Sequence, residues 1–243
     1  MKGVILAGGT GSRLSPLTLV TNKHLLPVYN KPMIYYPINT LLRAGIKRII
    51  IVTGRENGGS FMNLLGSGAD FGAHFQYALQ DRAGGIAEAL SLAEDFVHSE
   101  SMFVILGDNI VIDDLSQDVR SFRNGAKVFL KEVPEPQRFG VPVLDGDIIT
   151  KIEEKPVKPK SRYAITGVYF YDHTVFDKIR TLKPSTRGEL EVTDLNNLYI
   201  RDRQLSYAIL KHPWLDAGTF DSLLQASNMV KEMNLHLVFE NPR

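Results

Sequence analysis

The sequence predicts an α/β fold, parallel in its first half and mixed in its second. Two observations carry this. Short apolar runs alternate with helix-spaced patterns up to about residue 110. Beyond it, strand patterns follow one another, two of them joined by an Asp145-Gly146 hairpin turn. Alternating strands and helices imply parallel pairing with right-handed crossovers.

The elements follow in chain order. Residues 3–7 read as a buried strand that runs into a glycine-rich loop. A helix over 33–44 is entered through Pro32 and closed by Gly45 at its C′ position. Residues 47–52 form a second strand rich in β-branched side chains. A helical stretch at 61–65 precedes a third strand at 74–79. Residues 85–97 read as one helix with Ile86, Leu90, Ala93 and Val97 on one stripe. A fourth strand spans 102–106. Later strands are expected at 126–133, 141–144, 148–154 and 163–171, and helices at 174–182, 189–200 and 220–233. No repeat or linker-like stretch divides the chain. It therefore reads as a single domain over 1–243, with the mixed portion after about residue 110 lying against the parallel half.

Length and composition are those of an ordinary globular chain: 243 residues, 44% apolar and 23% charged. A chain of this size buries about 70% of its unfolded surface and needs no staples. The absence of cysteine excludes disulfides, thiolate nucleophiles, iron–sulfur clusters and cysteine-based zinc sites. Twenty-eight Lys and Arg against 27 Asp and Glu leave a net charge of +1, which argues against a broad nucleic-acid-binding face. The apolar run at the N-terminus is too short for a signal peptide, and no stretch approaches the ~20 apolar residues of a membrane span. The expected location is cytoplasmic.

The loop after the first strand reads Leu6-Ala7-Gly8-Gly9-Thr10-Gly11-Ser12-Arg13-Leu14. Glycines there let backbone N–H groups approach a phosphate. The loop lacks the Gly-Lys-Ser/Thr ending of a Walker A motif, and Leu14 stands where a dinucleotide fingerprint requires glycine. It is either a phosphate cradle carrying its own guanidinium, Arg13, or a tight structural turn. Lys23, in Thr21-Asn22-Lys23-His24-Leu25-Leu26-Pro27, is either a second phosphate cation or a surface charge. Asp108 lies past the carboxyl end of a central strand, where open α/β sheets bind ligands, and also suits a helix cap or turn. Asp216 precedes Ala217-Gly218-Thr219 and a long helix, so it too suits a cap. No spacing among the six histidines suits a histidine-based metal site.

These segments, with Lys31-Pro32-Met33-Ile34, Leu106-Gly107-Asp108-Asn109, Glu153-Glu154-Lys155-Pro156, the run from Thr166 to Asp172, the run from Arg187 to Asp194, and Trp214 to Thr219, stand in the order of one signature. The chain resembles the sugar-1-phosphate nucleotidyltransferases over some 220 residues. The resemblance implies a Rossmann-like three-layer α/β/α nucleotidyltransferase fold with a mixed sheet and a smaller sugar-binding β portion. Residues 1–110 would form the nucleotide-binding half, 111–219 the sugar-phosphate-binding half and 220–243 a closing helix and tail. It implies that dTTP and glucose 1-phosphate yield dTDP-glucose and pyrophosphate, supplying deoxysugars such as dTDP-rhamnose and surface polysaccharides.

Residue roles follow from the same resemblance. Arg13, Lys23 and Asp108 would be catalytic. Leu6, Gly8, Gly9, Gly11, Ser12, Arg13, Lys23, Gln80 and Gly85 would bind the nucleotide, Gln80 reading the base. Asn109, Gly140, Glu154, Lys155, Thr166 and Gly167 would bind the sugar phosphate. Asp108 and Asp216 would hold Mg²⁺, which takes only one or two protein carboxylates. Tyr169 and Tyr171 read as core residues. Phe139 departs from a common tyrosine, His24 from a common glutamine, and the 27 residues after Asp216 match the short form of the family. Homo-oligomers are usual in the family, and the helix near 220–233 offers an apolar face. Three other readings remain: the same chemistry with UTP or another sugar 1-phosphate, a non-catalytic nucleotide-sugar sensor, and a nicotinamide-dependent oxidoreductase. Retention of Arg13, Lys23, Asp108 and Asp216 opposes the second, and Leu14 opposes the third.

Overall fold

In the computed structural model, which describes residues 1–239, Lys2–Ala7 form β1 and every residue of it is buried. A stretch of single 3₁₀ turns follows, then a two-stranded ribbon of β2 (Pro27–Val28) and β3 (Lys31–Pro32), and α1 (Tyr35–Arg43). The parallel half continues through β4 (Arg48–Gly54), α2 (Gly58–Leu65), β5 (His74–Gln80), α3 (Ile86–Ser91), α4 (Glu94–Val97) and β6 (Met102–Leu106). Then come β7 (Asn109–Val111), α5 (Ser116–Ser121), β8 (Ala126–Glu132), β9 (Gly140–Asp145), β10 (Ile148–Glu154) and β11 (Tyr163–Tyr171). The last elements are α6 (Val175–Thr181), α7 (Val192–Arg201), β12 (Leu205–Ile209), β13 (Trp214–Asp216) and α8 (Phe220–Glu232). Among the described residues no helix is long and apolar enough to cross a membrane.

Seven strands form one mixed sheet in the order β12-β8-β11-β6-β1-β4-β5. β1, β4, β5 and β6 are mutually parallel, and β11 runs antiparallel to both β6 and β8. The mixed half therefore extends the parallel half edge to edge through β11. The separate small β portion is the β9–β10 hairpin, whose turn residues are Gly146-Asp147, one position on from the expected Asp145-Gly146, because Asp145 stays in β9 opposite Ile148.

Strand alternation divides the core into two layers. On one face Val4, Leu6, Ile50 and Val52 pack with α3, α4, α6 and α7. On the other, Ile5, Ala7, Ile49 and Ile51 pack with α1 and α2. This is the expected three-layer α/β/α arrangement. A third cluster, including Val28, Tyr36, Ala226 and Val230, seats α8 against α1 and the β2–β3 ribbon. Thr219 caps α8: its hydroxyl accepts the Ser222 amide at 3.3 Å, and Ser222 Oγ accepts the Thr219 amide at 3.0 Å. A cap of this kind stabilises a helix start by about 1 kcal/mol.

The differences from expectation have local causes. The helix expected over 85–97 breaks where Leu92 and Ala93 donate three residues back, at 3.3 and 3.0 Å, but Leu90, Ala93 and Val97 stay fully buried as one stripe. The helix expected from 189 starts at Val192, because Leu190 is drawn into a strand-like exchange with the start of α3. β12 pairs parallel with β8 at the sheet edge, and its half-exposed pattern gives no clear alternation. β7 and β13, three residues each, are too short to carry a periodic signal.

Candidate active site

The chain leaves β1 toward β4 on one side of the sheet, and β6 returns on the other. The carboxyl ends of β1 and β6 therefore flank a topological switch point, where open α/β sheets bind ligands. A cavity of about 280 Å³ opens there. Leu6, Gly8, Gly9 and Arg13 reach it from the β1 loop, Lys23 from the following turn, Gln80 from the end of β5 and Gly85 from the start of α3. Asp108 reaches it from the end of β6 and Asp216 from the end of β13. Gly11 and Ser12 do not line the cavity, although Gly11 caps the turn that carries Arg13. A groove of about 820 Å³ between residues 131–137 and 159–162 is larger, but it holds none of the motif residues and its Arg162–Glu132 pair is closed at 2.8 Å.

Asp108 is 6% exposed. Its Oδ2 accepts a hydrogen bond from the Lys23 ammonium, and its Oδ1 accepts one from the Asn109 side-chain amide at 3.0 Å. Burial pushes its carboxyl up, but the Lys23 charge and hydrogen bond and the Asn109 donor hold it below the usual carboxylate range. Asp216 goes the other way. Burial and the neighbouring Asp108 charge raise it to about 6, against the opposing pull of Lys23, Arg13 and the Gly218 amide. Two carboxylates with pKa values driven apart share one cleft. His24, beside Lys23, is buried and stays neutral: desolvation first and the Lys23 charge second lower it to about 3.

Two polar atoms at the cavity are sealed from solvent without a hydrogen-bond partner: Gln80 Nε2 and Asp216 Oδ1. Leaving such an atom unpaired costs about 1–3 kcal/mol, so both are fitted to a ligand that supplies the missing partner. For Asp216 Oδ1 the fitting partner is a hard divalent cation shared with Asp108. No group of three or more His, Cys, Asp or Glu side chains able to hold a metal is present among the described residues. Arg13 Nη2 and Asp216 Oδ1 converge over Gly218, where a Cβ would stand 2.7 and 2.6 Å from them. Only glycine leaves that space.

Gly85 has φ +101°, and a Cβ there would meet the Leu190 carbonyl oxygen at 2.5 Å. The close approach lets the Leu190 amide donate to Gly84 O at 2.8 Å and the Ala87 amide donate to Leu190 O at 3.2 Å. This pins residues 185–191 over the start of α3 and brings Glu189 into the cavity wall. Gly85→Ala is expected to cost about 2–3 kcal/mol, from strained backbone plus the clash with Leu190. A chemical denaturation midpoint equal to that of the wild type would contradict this.

The remaining motif residues gather around the β9–β10 hairpin. Glu154 and Gly140 are cross-strand neighbours, and Glu154 accepts the Thr193 hydroxyl at 2.5 Å. Lys155 lies 3.6 Å from Glu154 and has φ +42°. Tyr169, 4% exposed, connects the two regions: burial, then the charges of Glu154 and Asp108, all raise its hydroxyl pKa. Asn109 is 1% exposed and Gly167 donates its amide to it, so both brace Asp108 from behind. The Thr166 hydroxyl is turned into the protein, donating to Phe129 O at 2.8 Å. It has no free direction toward a sugar. Phe139 makes an edge contact with Trp214, with ring centroids 5.4 Å apart.

Sequence reasoning did not single out Glu189 or Arg187. Arg187 stands 3.9 Å from Glu154, 3.5 Å from Glu189 and 2.9 Å from Glu191, so it bridges the hairpin to the cavity wall. Its signal was the Arg-Gly-Glu-Leu-Glu run itself, whose alternating charges also suit a solvated turn.

Known proteins match this architecture along nearly the whole chain. The family model described as Nucleotidyl transferase matches residues 2–233. Glucose-1-phosphate thymidylyltransferase of Neisseria meningitidis serogroup A is 45% identical over 248 residues, covering 98% of this chain and 86% of the relative. That of Mycolicibacterium smegmatis is also 45% identical, covering 97% and 84%. A Bacillus anthracis crystal structure, assigned as a glucose-1-phosphate thymidylyltransferase and holding a sucrose, superposes with a TM-score of 0.93 at 52% identity, covering 97% of each chain. An apo UDP-glucose pyrophosphorylase shares the fold, with a TM-score of 0.85 at 24% identity, covering 97% of this chain and all of the other. By the reach of these matches, and by the glycine loop, lysine and paired aspartates that meet at the switch point, the chain belongs to the nucleotidyl transferase family.

Proposed function

We propose that this nucleotidyltransferase joins dTTP and glucose 1-phosphate into dTDP-glucose and pyrophosphate. The observation that carries the reading is the convergence of Arg13, Lys23, Asp108 and Asp216 on the cavity that also holds the unpaired Gln80 amide. A phosphate oxygen of the sugar 1-phosphate attacks the α-phosphorus of the triphosphate. The bond from that phosphorus to the oxygen bridging to the β-phosphorus breaks, and pyrophosphate leaves with the electron pair. The sugar phosphate is dianionic near neutral pH, so no general base is needed. The buried histidine of the cavity, His24, is neutral and serves packing.

Catalysis in this reading is positioning and charge neutralisation. Leu6, Gly8, Gly9 and Gly85 form the walls of the nucleotide site, with Gly11 and Ser12 shaping the turn behind Arg13. The free Nε2 of Gln80 donates to a carbonyl oxygen of the base. Arg13 meets the triphosphate as charge moves onto the leaving group, and Lys23 holds both Asp108 and a phosphate oxygen. Glu154 accepts from sugar hydroxyls, while Lys155 and Arg187 meet the sugar phosphate. Asp108 and Asp216 would hold Mg²⁺, which would supply neutralisation of phosphate charge there. We place the enzyme in the cytoplasm as a homo-oligomer, its product feeding deoxysugar and surface-polysaccharide synthesis.

A pyrophosphate-release assay tests the reading, with dTTP and UTP run side by side against glucose 1-phosphate. Mg²⁺-dependent release is expected, faster with dTTP. Absence of release with every triphosphate and sugar phosphate pair would overturn it. UTP lacks the base methyl and carries a ribose 2′-hydroxyl; the methyl alone is worth about 1–3 kcal/mol, so the preference over dUTP is expected within roughly 10–200-fold.

The raised Asp216 pKa gives a second test. Its folded-state value of about 6 lies above that of the unfolded chain. The stability it contributes is therefore present at low pH and lost as pH rises through about 6. A cation binding the ionised pair recovers that loss. Mg²⁺ is thus expected to raise the melting temperature more at about pH 7.5 than at about pH 5. Equal shifts at both pH values in a thermal melt would separate the metal from Asp216.

A further inference from the structure

Trp214 is the one tryptophan in the chain. It is 6% exposed and opens β13, the strand that ends in Asp216. Its indole Nε1–H donates to Asn109 Oδ1 at 2.6 Å. The same oxygen accepts the Gly167 backbone amide at 3.0 Å. Both donors are obligatory, so the Asn109 carboxamide has only one orientation: its oxygen faces them and its NH₂ faces Asp108. That NH₂ donates to Asp108 Oδ1 at 3.0 Å, leaving Oδ2 to Lys23. The chain of donors therefore runs from the indole through one amide to the carboxylate.

The backbone repeats the link. β13 pairs antiparallel with β7, with Trp214 opposite Val111 and Asp216 opposite Asn109. The Ala217 amide then donates to Asp108 O at 2.9 Å. A slip of one residue would turn Asp216 to the other face of this three-residue ribbon. The indole bond, made from the first residue of β13 across to the first residue of β7, opposes such a slip.

We propose that Trp214 is a positioning residue for the metal-binding pair: its indole N–H fixes the Asn109 amide, and through it the direction of the Asp108 carboxylate and the register that sets Asp216 beside it. The inference rests on the reading that Asp108 and Asp216 share a divalent cation. Asn109 is the hydrogen-bond partner of the carboxylate, of the kind that tunes metal-bound carboxylates elsewhere, and Trp214 acts through it, two steps from the ion.

The test is Mn²⁺ binding to the free enzyme, followed by the electron paramagnetic resonance of unbound Mn²⁺, so that turnover is not the readout. Two variants are compared. Trp214→Phe keeps an aromatic edge against Phe139 and loses the N–H. Biosynthetic replacement of tryptophan by its benzothiophene analogue, which is site-specific in a one-tryptophan chain, keeps the ring and deletes only the donor. Both are expected to weaken Mn²⁺ binding by about 10–100-fold, and to lower kcat more than they raise the KM for sugar phosphate. In the wild type, Trp214 emission is expected to change as Mn²⁺ saturates. Wild-type Mn²⁺ affinity in the benzothiophene protein overturns the inference, and a raised sugar-phosphate KM alone would make Trp214 a pocket wall. A wild-type enzyme that binds no Mn²⁺ overturns instead the two-aspartate reading beneath it.

Discussion

Asp108→Asn is expected to lower kcat/KM for pyrophosphate release by about 10³-fold, or ~4 kcal/mol of transition-state stabilisation. The variant keeps the shape of the side chain and removes its charge. Two consequences for stability oppose each other. Lys23 loses its partner in a nearly buried pair, and breaking such a pair typically costs about 3–5 kcal/mol. Yet the Asp108 charge is one of the causes that keep Asp216 protonated up to about pH 6. With that charge gone, Asp216 ionises at lower pH and takes over the balance of Lys23. The net loss is expected at about 1–2 kcal/mol, lowering Tm by ~2–8 °C. Turnover within tenfold of wild type would remove Asp108 from the machinery. A Tm loss far beyond this range would show that Asp216 does not compensate.

Arg13→Ala is expected to separate activity from stability more completely. The Arg13 side chain is exposed at the cavity mouth, and its interaction with the protein is the solvent-screened pull of its charge on Asp216. Its removal should change folding free energy by no more than about 0.5 kcal/mol. A guanidinium that meets phosphate charge as it develops is worth about 10³-fold or more in kcat. Arg13→Lys should restore only part of the loss, because an ammonium lacks the planar fork that spans two phosphate oxygens. Urea melts and pyrophosphate release measured on one preparation decide the matter. An active Arg13→Ala enzyme would return the residue to a solvated turn.

The parallel half of the fold and its site were legible because strong local signals coincide there. β1 is a run of buried residues punctuated by glycines, and a β-branched run marks β4. Lys23 and Asp108 were readable as motif members, but their direct hydrogen bond joins residues 85 apart in sequence. Nothing local in either segment encodes it. Asp216 was readable only through the resemblance, since a three-residue strand has no periodicity. Thr166 illustrates the opposite case. Its place in a motif suggested a ligand contact, while in the irregular stretch of β11 between Ile165 and Tyr169 its hydroxyl turns into the sheet to donate to Phe129 O. Arg187 was hidden among acidic neighbours, and only the fold shows that Glu154 and Glu189 meet on either side of it.

On the two-aspartate reading, the β7–β13 ribbon would also set when the enzyme becomes competent. A chain emerging from the ribosome offers the glycine loop, Lys23 and Asp108 early, and domains fold as their elements become available. Asp216 arrives more than a hundred residues after Asp108, on a strand that pairs with β7. A nascent chain can thus close the nucleotide-binding half while lacking its second carboxylate. On the two-aspartate reading, chemistry would wait for β13 to dock, and the Glu189 wall of the cavity also comes from the later half of the chain.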